Sequence, residues 1–160
     1  VGPPERDVIE AAKLRSTAQL LFKCARLLND EGLARVRAAT GADVRAAHAA
    51  LFPHIDLEGT RLTEIARRAG VTKQAVGPLI DDLEAMGALE RVRDPSDGRA
   101  RLVRFAQRPD GEHSILAGLR VLGRLEAELA EELGADRWAG LHAGLAGLLP
   151  LLEARAGSTD

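Results

Sequence analysis

The chain has 160 residues, 46% hydrophobic and only 2% aromatic, with a formal net charge of −2. This length allows one domain, or one small domain with a helical extension, and a core built from Leu, Val, Ile and Ala favours helix. No apolar run is long enough to span a membrane, no basic start followed by an apolar stretch marks a signal peptide, and the single Cys24 excludes an internal disulfide, which fits a cytoplasmic location.

Residues 7–37 read as one helix, because Ile9, Ala12, Leu20, Cys24, Leu27 and Leu28 recur near 3.6-residue spacing. Cys24 falls on that stripe and is expected to be a buried, inert thiol. Gly41-Ala-Asp43 breaks the pattern, with Asp43 as the expected N-cap of a helix over Val44–Phe52 that stops before Pro53. Thr60-Arg-Leu62 reads as a very short strand.

Thr63 is the expected N-cap of the next helix and Gly70 its terminal glycine. Thr72 caps the helix after it, which Gly87 ends. Val76, Leu79, Ile80 and Leu83 of that helix face a core, leaving Lys73, Gln74, Gly77, Asp81 and Glu84 outside. Pro78 deletes one backbone bond within it. Two short strands follow, separated by the turn residues Asp94-Pro-Ser-Asp-Gly98. A helix-turn-helix followed by a charged hairpin is a winged helix, which offers one helix to a DNA major groove. Charge agrees: residues 60–108 carry ten basic and seven acidic side chains, residues 109–160 four and nine. The middle of the chain is thus locally +3 in an acidic protein, the footprint of a DNA-facing surface.

The last part reads as helices over residues 111–133 and 136–154. Ile115, Leu119, Leu122, Leu129 and Leu133 form one apolar seam, and Trp138, Leu141, Leu145, Leu148 and Leu152 another. Pairing with a second copy of the chain would cover them. The fold class is therefore mainly α with a small β-hairpin wing: a winged helix-turn-helix DNA-binding domain over residues 41–108, and a helical dimerisation region over 1–40 and 109–160.

The segments Leu62-Thr-Glu-Ile-Ala66, Gly70-Val-Thr-Lys-Gln-Ala-Val76, Leu79-Ile-Asp-Asp-Leu-Glu84, Gly87-Ala-Leu-Glu-Arg91 and Asp94-Pro-Ser-Asp-Gly-Arg-Ala-Arg101 resemble the MarR family of transcriptional regulators. The resemblance implies a homodimer with interlocked terminal helices, two wings on a pseudo-palindromic operator, and release of double-stranded DNA by a small-molecule effector. It implies that Arg99 enters the minor groove and that Asp97 orients it. Thr72, Lys73, Gln74 and Gly77 are placed to meet the major groove, where Gln suits adenine and Lys guanine. Gly77 carries no side chain to read a base, so shape readout by the wing gains weight. Arg91, Arg93, Arg101 and Arg104 divide between phosphate contacts and strand-surface charges.

One branch of that family senses hydroperoxides through a cysteine supported by tyrosines, and this chain has no Tyr. An effector pocket is expected near Arg26, His48, His54 and His113. No metal-ligand spacing, nucleophile elbow or phosphate-binding glycine loop is present, so neither an enzyme nor a cofactor is expected. The expected function is a ligand-responsive repressor; the alternative is a winged-helix protein-interaction module without operator binding.

Overall fold

A computed structural model describes residues 3–109 and 111–157. The chain separates into two compact units, residues 1–121 and 122–160.

The first unit opens with helices α1 (Pro3–Arg15) and α2 (Thr17–Thr40). The single helix expected over residues 7–37 is thus two. Ser16 has extended backbone, and its side chain accepts the Gln19 N–H at 3.4 Å, so it caps α2 and interrupts the periodic pattern. A serine hydroxyl competes with helical bonds in this way, and the apolar stripe on either side hides the break. Gly41, at φ +71°, closes α2.

Asp43 caps nothing. The next helix, α3 (Ala46–Ala49), starts from Arg45, whose backbone N–H is taken by His48 Nδ1 at 3.2 Å. It stops well short of Phe52, and the chain passes through Pro53 as a 3₁₀ turn, Phe52–His54. Proline tolerates that position because the first N–H groups of a helical turn have no internal acceptor. Strand β1 is Thr60–Arg61, one residue shorter than expected because Leu62 opens the next helix. Helix α4 (Leu62–Arg68) starts two residues early, with Arg61 rather than Thr63 at the N-cap. Gly70 takes φ +66° and its N–H bonds to the Arg67 carbonyl, while Val71 N–H reaches Ala66. These paired bonds reverse the chain into α5 (Lys73–Ala85).

Strands β2 (Leu89–Asp94) and β3 (Asp97–Phe105) form the wing. The sheet is antiparallel in the order β1-β3-β2. The strands run closer to the tip than the sequence suggested: Asp94 pairs with Asp97, which leaves Pro95 and Ser96 to turn the chain. Ile65, Val76, Ile80, Leu83, Leu89, Val103 and Phe105 form the core under the sheet, with Phe52 and Phe105 stacked at a tilt, 6.0 Å apart. Full burial of one such aliphatic side chain stabilises the fold by about 1.5–3 kcal/mol, so α5 is set firmly by Val76, Ile80 and Leu83.

Helix α6 (Ile115–Leu133) begins later than expected. Ahead of it stand a Gln107–His113 bridge, a turn at Gly111, and Ser114, whose hydroxyl donates to the Ala88 carbonyl at 2.6 Å. In the second unit, Leu125 of α6 is buried, and α7 (Ala135–Gly157) buries no residue fully. Leu129, Glu132, Leu133 and Trp138 line a shallow cleft there.

Candidate nucleic-acid interface

Helix α5 is built to present its first turn. The Thr72 hydroxyl accepts the Ala75 N–H at 3.2 Å, so the side chain expected at DNA is engaged in capping. Lys73 and Gln74 follow it, both exposed. Half-buried Gly77 and exposed Pro78 follow on the same helix, and a Cβ at Gly77 would meet no atom within 4 Å. The fold gives no packing reason for that glycine.

The far end of α5 is tied down. Arg91 donates to Asp81 at 2.7 Å and also to Glu84. Arg91 is therefore a cross-link between β2 and α5 with its guanidinium already engaged by two carboxylates. Arg104 pairs with Glu90 across the strands at 2.8 Å. His48 is completely buried, and its Nε2 lies 3.3 Å from Asp82 of α5, a carboxylate also held by Arg45. Both ion-pair sets fix α5 against its neighbours.

On the wing, Arg93, Arg99 and Arg101 are exposed, and none has an acidic partner among the described residues. Asp97 holds Arg99 by its backbone: Oδ1 accepts the Arg99 N–H at 3.2 Å. Its other oxygen lies 3.6 Å from the guanidinium of Arg61. Arg61 donates from Nε and Nη2 to Asp94 Oδ2 at 2.8 and 2.6 Å. Asp94 Oδ1 accepts both the backbone N–H of Ser96 at 2.8 Å and its hydroxyl at 2.6 Å. The Ser96 hydroxyl, then Arg61, hold the Asp94 carboxyl down to about 2. Asp94 was legible in the sequence only as a turn residue and Arg61 not at all.

The four residues expected at an effector pocket make separate contacts. Arg26 pairs with Asp30 in its own helix at 2.9 Å. His48 belongs to the Arg45–Asp82 cluster, the His54 backbone carbonyl accepts from Arg68 at 3.4 Å, and His113 pairs with Gln107 through its backbone while its buried Nδ1 has no hydrogen-bond partner among the described residues. Cys24 is exposed in the single chain, contrary to the expectation of a buried thiol, because the stripe it belongs to is itself uncovered: Leu20 and Leu27 are exposed as well. Among the described residues, no group of three or more His, Cys, Asp or Glu side chains could hold a metal ion, and no helix is long and apolar enough to cross a membrane.

Two capped helices joined at a glycine turn, followed by an arginine-bearing antiparallel hairpin, define a winged helix-turn-helix of the DNA-binding transcriptional-regulator class. The MarR family sequence profile matches residues 43–100, the stretch that holds the winged helix. No curated protein matches the chain. Many solved structures share the fold. CouR from Rhodococcus jostii RHA1, bound to p-coumaroyl-CoA, is 18% identical; the match covers 85% of this chain and 93% of that one, with a TM-score of 0.62. The transcriptional repressor CouR bound to a 23-mer DNA duplex is 24% identical, with 84% and 92% covered and a TM-score of 0.58. The transcriptional regulator BldR from Sulfolobus solfataricus is 22% identical, with 91% and 99% covered and a TM-score of 0.56.

Proposed function

We propose that this chain is a cytoplasmic, sequence-specific repressor that binds a pseudo-palindromic operator as a homodimer. One observation carries the reading. Four exposed cations of the winged helix, Lys73 on α5 and Arg93, Arg99 and Arg101 on the wing, lack acidic partners among the described residues, whereas Arg61, Arg67, Arg68 and Arg91 of the same domain are paired. The paired set stabilises the domain, and the unpaired set is left for phosphates and base edges.

Lys73 and Gln74 would meet the major groove at the exposed first turn of α5, and Gly77 would let the helix backbone approach. Arg99 would enter the minor groove, with Arg93 and Arg101 on the flanking phosphates. The DNA-bound CouR structure, which has this fold, supports the DNA reading. The structure bound to p-coumaroyl-CoA supports an effector response on the same scaffold. The uncovered leucines of α2 and α7 support the homodimer.

The test is a fluorescence titration against the duplex flanking the protein's own gene and against duplexes selected from a random library, each at two salt concentrations. The reading expects tight, sequence-preferring binding that weakens steeply with salt. Weak binding that is equal for scrambled and selected DNA overturns it in favour of a protein-interaction module.

A further inference from the structure

We infer that Arg61 is the positioning residue of the wing: its guanidinium, rooted beside α4, sets where the hairpin tip and Arg99 stand.

A two-stranded ribbon is marginally stable by itself. The third strand does little to steady its tip, because β1 reaches only to Arg61, which pairs with Leu102. Beyond that register the hairpin continues to the turn at Pro95 and Ser96 on two strands. The Arg61 side chain bridges this gap. It holds Asp94 at 2.6 and 2.8 Å and lies 3.6 Å from Asp97. Each carboxylate in turn holds the tip backbone: Asp94 takes the Ser96 N–H, and Asp97 takes the Arg99 N–H. One cation adjoining the first helix of the helix-turn-helix therefore gathers both carboxylates that order the tip.

The pair also differs from an ordinary surface ion pair, which contributes little. Asp94 is only 5% exposed. Removing Arg61 would leave a nearly buried carboxylate with Ser96 as its remaining partner, so the tip must rearrange to rehydrate it. Through Asp97 that rearrangement reaches Arg99.

The positioning role rests on the DNA reading above, and two measurements separate them. The first needs no DNA: amide hydrogen exchange by NMR in Arg61→Gln. The inference expects exchange at Ser96 and Arg99 to quicken by about fivefold or more, with Ile65 and Ile80 of the core unchanged. Unchanged exchange at Ser96 and Arg99 overturns it. The second is hydroxyl-radical footprinting on a duplex selected from a random library by the native protein. Arg61→Gln should lose minor-groove protection and about tenfold in affinity while keeping the protection given by α5. Arg61→Lys, which keeps one charged donor, should restore part of both. Should Arg61→Gln not fold, Arg61→Lys and Asp94→Asn carry the same comparison. A full footprint in Arg61→Gln, on DNA where Arg99→Ala has lost minor-groove protection, overturns the positioning role alone. A full footprint in Arg99→Ala overturns the wing reading, and amide exchange still decides the role of Arg61 in ordering the tip.

Discussion

Arg93 stands directly opposite Arg101 across the β2–β3 ladder, and neither has an acidic partner among the described residues. Like charges facing each other across a sheet repel and destabilise it. Three positions further along the ladder, Glu90 with Arg104 shows the opposite-charge arrangement that would relieve the repulsion. The Arg93–Arg101 arrangement makes sense if an anion comes between them, and a phosphate of the DNA backbone is the anion the fold leads one to expect.

Arg93→Gln and Arg101→Gln should each weaken DNA binding about equally on every duplex. Each should also lower the slope of log affinity against log salt by about one. Stability in urea should stay within about 0.5 kcal/mol of the native protein. A salt series read by fluorescence anisotropy checks the slope, and an unchanged slope for both variants removes them from the interface.

Gly59 gives a prediction about the fold itself. It stands at φ +104°, and an added Cβ would lie 2.9 Å from Leu102 Cβ. Both faults act together: the backbone conformation disfavours a side chain, and the colliding atom is anchored to β3 rather than at the end of a flexible chain. Gly59→Ala should cost about 1–3 kcal/mol, seen as a lower urea midpoint with an unchanged slope. Because Gly59 precedes β1, loss of the Thr60–Val103 pairing should appear first in amide exchange.

Several local elements of this fold were legible, though the caps at Ser16, Arg45 and Arg61 were not, and the long-range contacts were hidden. Thr72, Gly70 and Gly87 announce their caps because capping is a contact among near neighbours in sequence. The wing is legible for the same reason, since Asp94-Pro-Ser-Asp-Gly98 contains its own turn. Ser16 was missed because an apolar period continues on both sides of it. Arg61 was missed because its partner is 33 residues away, and nothing in the spacing distinguishes that arginine from Arg67 or Arg68. Arg91 read as either a phosphate contact or a strand-surface charge because sequence does not reveal which of the α5 carboxylates faces β2. Cys24 read as buried because a stripe implies a cover, and the single chain does not provide one.

The acid limb of stability should report two of these pairs. Asp94 is held down to about 2 by Ser96 and Arg61, and Glu64 to about 2 by Arg67 and Arg68. A carboxyl whose folded value is depressed stabilises the fold fully above its unfolded value. That stability is lost as pH falls through the folded value. The loss should therefore run from the ordinary carboxylate range near pH 4 down to about 2. Asp94→Asn should flatten part of this dependence and leave the profile between pH 6 and 8 parallel to that of the native protein. Urea unfolding at successive pH values checks it, and a steep loss near neutral pH would point to some other group.

The final prediction concerns α7. Leu141, Leu145 and Leu152 are 44%, 42% and 51% exposed, and α7 buries no residue fully. A stable single chain rarely leaves so many leucines along one helix in water. Together with Trp138 and Leu148 they recur at three- and four-residue intervals, the spacing of a helix-pairing seam. Leu145→Asp would place a charge in the middle of that seam. In a pairing interface the charge would have no partner and would cost several kcal/mol across two copies, enough to shift the chain to monomers at micromolar concentration. Size-exclusion chromatography with light scattering should then give a native dimer and a variant of about half its mass, with the helical circular dichroism largely kept. The monomer should also fail to bind an operator with two half-sites, since one winged helix makes only half the contacts. A Leu145→Asp protein that remains a DNA-competent dimer would place the interface elsewhere, and the uncovered stripe of α2, with Leu20 and Leu27, would be the next surface to interrupt.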